Sequence, residues 1–177
     1  GAKNNGWRVI TFTLKSTGAV WGICSAHSYE VQQTVDVVNW VGEKYGTDNI
    51  VLFGSSAGAP IAGSAMAQLQ KNRNIIAAYI AVGYTFGNFA TLGFGRHFPS
   101  VVGESVGGIA IPPKLFIMGE RDEFTSVDQL EKMTKKMKTN GKVDTEIVAD
   151  VGHFKLESST YDPLVAKMVL NWLEKAL

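Results

Sequence analysis

Cysteine is nearly missing from this 177-residue chain: Cys24 is the one example, so no internal disulfide can form, and a reducing, cytoplasmic setting is expected. Long apolar runs are missing too. None approaches the roughly 20 residues needed to cross a bilayer, so no membrane helix is expected. The first residues, Gly1 to Gly6, lack the apolar core of a secretory leader, so none is expected. Charge of one sign does not dominate. Seventeen Lys and Arg against sixteen Asp and Glu give a net charge of +1, and without a basic stripe nucleic acid is not the indicated partner. The cluster Lys132, Lys135, Lys136 and Lys138 sits beside Glu131 and reads as the solvated face of one helix. There is no internal repeat and no low-complexity linker. What is present is 45% hydrophobic residues, enough for the core of one domain over 1–177.

The most informative stretch is Ile50-Val51-Leu52-Phe53 followed by Gly54-Ser55-Ser56-Ala57-Gly58. Four apolar residues read as a buried strand. The next five fit G-x-S-x-G, and the alanine-rich segment from Ala59 reads as a helix reaching about Lys71, with Pro60 tolerable in its first turn. Strand, sharp turn and helix make the context of a nucleophile elbow. Crowding explains the glycines: side chains at Gly54 and Gly58 are expected to clash with neighbouring backbone. A second match, Gly103-Glu104-Ser105-Val106-Gly107, runs into Gly108 and Pro112-Pro113, which cannot build the required helix, and is read as chance.

Around the elbow, strands are expected at Trp7 to Leu14, Asn74 to Val82, Lys114 to Met118 and Val143 to Val148, the last as an edge because it alternates with polar residues. Helices are expected at Tyr29 to Tyr45, with an apolar stripe of Val31, Val35 and Val38 that Val41 and Trp40 extend, and at Ser126 to Thr139, with Thr125 or Ser126 as N-cap. A last helix is expected from about Ser159 to Leu177, with Leu164, Val165, Met168, Val169, Trp172 and Leu173 facing inward. Gly83 to Pro113 is irregular, and its aromatics Tyr84, Phe86, Phe89, Phe94 and Phe98 suit either a substrate pocket or ordinary core packing. Alternating strands and helices predict a three-layer α/β/α sandwich with a mostly parallel sheet. Ligands of such sheets sit beyond the carboxyl ends of the strands.

Asp122 follows one strand and His153 another, on the same rim as Ser56. In this reading His153 is the base that activates the Ser56 hydroxyl, and Asp122 orients the imidazole. The Ala57 N–H faces the developing oxyanion. Glu120, Glu123 and Asp150 are the competing acids: the two glutamates are expected to face solvent, and Asp150 to be a turn residue. His27 and His97 are the competing histidines, each expected to be a surface or satisfied side chain.

The segments VLFGSSAGAPIAGSAM, KLFIMGERDEFTS and VGHF resemble the α/β-hydrolase superfamily, and in particular its small, lid-poor members similar to dienelactone hydrolases. The resemblance covers nearly the whole chain from Trp7. It implies a serine hydrolase acting on a carboxylic ester or thioester without cofactor or metal, with Ser56 as nucleophile, Asp122 as acid, His153 as base and Ala57 as an oxyanion donor. The superfamily also begins with several strands that are not found here, one of them followed by a loop that gives the second oxyanion donor. Either the chain is a piece of a longer protein, the expected outcome, or Trp7–Leu14 moves inward to pair with the nucleophile strand. The alternative function is a catalytically weak or silent hydrolase-fold scaffold; a peptidase or lipase of the same fold ranks third.

Overall fold

A computed structural model of the chain describes residues 6–14, 27–72, 75–86, 95–102, 111–137 and 142–177. The second G-x-S-x-G match, Cys24, Phe89 and Phe94 fall outside them. Four strands form one parallel sheet in the order β1 (Ile50–Ser55), β2 (Ile76–Val82), β3 (Lys114–Gly119), β4 (Val143–Val148). Burial follows from that order. The inner strands β2 and β3 are apolar almost throughout and nearly all buried, as strands covered on both faces must be. The outer strands β1 and β4 are more open: β4 stands at the end of the order, as expected for Val143 to Val148, with its terminal valines buried and the four residues between them partly or fully open.

Helices cover both faces, which makes the three layers. On one side lie α1 (His27–Tyr45), α2 (Gly58–Asn72), the short α3 (Phe98–Val102) and α4 (Val127–Met137). Val31, Val35 and Val38 of α1 pack there with Ala59, Ile61 and Ala65 of α2, Val101 of α3, and Leu130 and Met137 of α4; Trp40 departs from the expected stripe and is exposed at the far end of α1. On the other side lie α5 (His153–Leu156) and α6 (Asp162–Ala176), whose Leu156, Trp172 and Leu173 pack on Ala78, Ile80, Leu115 and Ile117. Leu164 departs from the expected inward set at 38% exposure, because it lies off the stripe formed by Val165, Met168, Val169, Trp172 and Leu173. Ser126, not Thr125, caps α4: its Oγ accepts from the Gln129 N–H at 3.2 Å while Gln129 Oε1 accepts from the Ser126 N–H at 2.9 Å. The aromatics Tyr84 and Phe86 are buried and group with Phe98 and Phe116, so they pack the core.

Residues 7–14 are not a strand. Trp7, Val9 and Phe12 are exposed, Leu14 rests against the core, and the Arg8 guanidinium lies 4.3 Å from the centre of the Tyr45 ring at the end of α1. Among the described residues, no strand pairs with the outer edge of β1, so inward pairing of this segment does not occur. Its β-branched and aromatic residues favour a sheet only where a neighbouring ladder accepts them. Among the described residues, no helix is long and apolar enough to cross a membrane.

Candidate active site

β1 ends at Ser55, and α2 begins at Gly58, so the turn between them is only Ser56 and Ala57. Ser56 has φ of +48°, a left-handed conformation that costs a side-chain-bearing residue roughly 1–2 kcal/mol. The turn is fixed on both sides: the Ser56 N–H donates to Val82 O at 2.9 Å, and the Ala59 N–H donates to Ser56 O at 3.0 Å. A Cβ on Gly54 would lie 2.6 Å from Ala59 Cα, so the expected crowding is real there. At Gly58 it is not: an added Cβ meets nothing within 4 Å, because the chain has already turned outward into α2. Ala57 is exposed, and among the described residues its N–H has no protein acceptor.

Asp122 lies three residues beyond β3, and His153 opens α5 just beyond β4. Both side chains are shut away from water, at 0% and 1% exposure. Asp122 Oδ1 accepts from the N–H groups of Phe124 and Thr125 at 2.8 and 2.9 Å, and its Oδ2 stands 2.7 Å from His153 Nδ1. The other ring nitrogen, Nε2, stands 2.8 Å from Ser56 Oγ. Serine, imidazole and carboxylate therefore form one continuous line of hydrogen bonds. Burial pushes the imidazole pKa down. The hydrogen bond and charge of Asp122, followed by the charges of Glu157 and Glu123, outweigh it, so the pKa lies above the ordinary histidine value.

No protein-family model matches the sequence, and no curated protein matches it. Solved structures do resemble it. An alpha-beta serine hydrolase homologue from Coxiella burnetii superposes with a TM-score of 0.63 at 19% identity, over 90% of this chain and 66% of that one. A Pyrococcus furiosus esterase gives 0.60 at 17% identity, over 83% and 61%. A monoacylglycerol lipase of Paleococcus ferrophilus gives 0.59 at 12% identity, over 83% and 76%. The chain has the α/β-hydrolase fold. It spans less than two thirds of the length of the first two of these neighbours.

Within this α/β-hydrolase fold, the competing acids have other duties. Glu120 and Glu123 are exposed as expected, yet each grips the histidine loop: Glu120 Oε2 accepts the Asp150 N–H at 3.0 Å, and Glu123 Oε2 accepts the His153 N–H at 2.8 Å. Asp150 is a turn residue with φ of +60°, ion-paired with Arg121. His97 is buried, with Nδ1 2.5 Å from Ser64 Oγ; the His27 side chain lies outside what is described. Sequence reasoning missed Gly83 and Thr125. Gly83 has φ of +59°, and a Cβ there would lie 2.9 Å from His153 Cε1, so its bareness makes room for the imidazole. The Thr125 hydroxyl donates to Tyr84 O and accepts from the Phe86 N–H, both at 2.8 Å, tying the loop after β3 to the loop after β2. The signal for Gly83 was its place directly after a strand on the active rim. Among the described residues, no group of three or more His, Cys, Asp or Glu side chains is disposed to hold a metal ion.

Proposed function

We propose that the protein is a serine hydrolase cleaving a carboxylic ester or thioester through Ser56, His153 and Asp122. The observation that carries this reading is the unbroken line Asp122 Oδ2, His153 Nδ1 and Nε2, Ser56 Oγ, with contacts of 2.7 and 2.8 Å. In the first step Ser56 Oγ attacks the substrate carbonyl carbon while its proton passes to Nε2. The imidazolium then protonates the leaving oxygen or sulfur as that bond breaks, leaving an acyl-serine. Water repeats the sequence in reverse and releases the acid. Asp122 keeps the proton of Nδ1 in place and stabilises the imidazolium. The Ala57 N–H, open and at the head of α2, is the donor assigned to the oxyanion.

The esterase and lipase among the structural neighbours support an ester as substrate. A silent scaffold gains nothing from a serine in a left-handed conformation bonded to a buried imidazole. The test is labelling by a fluorophosphonate. The parent protein is expected to label at Ser56 and to turn over p-nitrophenyl acetate, and Ser56→Ala to do neither. Equal labelling of Ser56→Ala would refute the assignment.

A further inference from the structure

One carboxylate beside the imidazole has no part in the line of hydrogen bonds just described. Glu157 follows α5, one helical turn beyond His153. One of its oxygens accepts a hydrogen bond from Ser55 Oγ. The other stands 3.7 Å from Nε2, the ring nitrogen that faces Ser56. Asp122 serves the far edge of the imidazole; Glu157 serves the edge where bonds are made and broken. Its side chain is 24% exposed, so water screens its charge only in part.

Two phenyl rings flank the same imidazole. Phe124 and Phe154 meet the imidazole edge to face, with centroids at 4.7 and 5.4 Å, and lie 5.6 Å from each other. Phe154 is 70% exposed, so its ring is open to a molecule that approaches the imidazole. A carboxylate and open aromatic rings around one imidazole are groups that attract an organic cation, the first by Coulomb attraction and the second by the ring quadrupole. The neighbouring basic side chains are turned to other partners: Arg121 to Asp150, and Lys155 to the Tyr161 ring, 6.0 Å from its centre.

We propose that Glu157, held in place by Ser55, is a specificity-determining residue. It favours substrates that carry an ammonium group close to the scissile bond and disfavours those that carry a carboxylate there. This inference rests on the hydrolase reading above and adds the charge of the substrate to it. An approaching ammonium gains from Glu157 while the tetrahedral species forms at Ser56. An approaching carboxylate meets a like charge one contact from the base.

The experiment compares acetate esters of three alcohols: choline, its neutral isostere 3,3-dimethylbutanol, and the anionic glycolate. The parent protein is expected to favour the choline ester over the isostere by about tenfold in kcat/KM and to disfavour the glycolate ester by a similar factor. In Glu157→Gln both ratios are expected to fall to within about twofold of one. Ser55→Ala, which frees the carboxylate, is expected to reduce them by less. Each ratio is taken within a single variant, so a change in absolute rate does not enter. If Glu157→Gln does not fold, Glu157→Asp and Ser55→Ala carry the comparison. The same ratios can be read from the rates at which paired cationic and neutral phosphonates label Ser56. Turnover or labelling with charge ratios that Glu157→Gln leaves unchanged overturns this proposal alone. No turnover of any ester together with no labelling of Ser56 overturns the hydrolase reading, and the proposal falls with it.

Discussion

The two halves of the candidate site are built by different means. The acid–base half, Asp122 and His153, is buried and held by hydrogen bonds: Asp122 takes two backbone N–H groups and the imidazole, and Glu123 takes the His153 N–H. The nucleophile half, Ser56 and Ala57, is more open and is held by backbone geometry, with a left-handed φ at Ser56 and close packing against Gly54. One half is positioned by hydrogen bonds to its side chains, the other by backbone hydrogen bonds and a lack of room. The first therefore yields to changes of charge and donor, the second to changes of volume and φ.

The largest expected effect lies in the nucleophile half. Ser56→Ala is expected to abolish labelling and to lower ester turnover by about 10⁴-fold or more. Ser56→Gly loses the same chemistry but relieves the left-handed backbone, so it is expected to raise unfolding stability by about 1 kcal/mol in a urea titration. A fall in stability would mean that the strain is not where φ of +48° places it.

In the acid–base half, Asp122→Asn is expected to lower kcat/KM by about 10⁴-fold, because an amide selects the wrong tautomer of His153. It also has a sign in pH. In the proposed reaction the base must be neutral to accept the serine proton, so activity is expected to rise as pH passes through the His153 pKa. That pKa is raised in the fold, against burial, chiefly by Asp122. The acidic limb of the parent profile is therefore expected above the ordinary imidazole value of about 6.5. In Asp122→Asn the limb is expected to move to lower pH. The same raised pKa makes a stability contribution that is fully present below the unfolded pKa and lost as pH rises through the folded one. A limb that stays in place in Asp122→Asn would break the distinction between the halves, since it would mean that polar partners do not set the state of the imidazole.

Gly83 belongs to neither half by chemistry but touches the imidazole by shape. In Gly83→Ala the new methyl would crowd His153 Cε1 at 2.9 Å on a backbone with φ of +59°. Activity is expected to fall about 10²-fold through displacement of the ring, with about 1–2 kcal/mol of stability lost to the left-handed alanine. Full activity in Gly83→Ala would show that the imidazole tolerates movement.

The meeting of Asp122 and His153 was legible in outline and not in detail. Residue type and position after a strand point to Asp122 and His153, because a parallel sheet delivers strand ends to one rim. The partners of Glu123, Glu120 and Thr125 were not legible, because they join loops whose contacts depend on three-dimensional closure rather than on period. The inner strands β2 and β3 could be read from unbroken apolar runs. The stretch Trp7 to Leu14 could not: its composition suits a strand, but whether a strand forms depends on a neighbour, and composition is silent on neighbours. The strand, turn and helix around Ser56 form in the order read from the sequence, but the two outer glycines were given one reason when they have different surroundings.

Those two glycines provide the smallest and sharpest comparison. A methyl on Gly54 would meet Ala59 Cα at 2.6 Å and Gly58 O at 2.7 Å, both backbone atoms that cannot swing aside. Gly54→Ala is expected to destabilise the protein by about 3 kcal/mol, the upper range for overpacking, and to reduce labelling of Ser56. A methyl on Gly58 meets nothing within 4 Å, and the residue is the first of α2. Alanine there adds helix propensity and removes freedom from the unfolded chain. Gly58→Ala is therefore expected to change stability by no more than about 0.5–1 kcal/mol, in the stabilising direction. If both variants lose stability equally in parallel urea titrations, crowding is a property of the whole turn, and the nucleophile half is packed more tightly than these contacts imply. If only Gly54→Ala does, the motif needs its first glycine for space, and the second position has room for a side chain.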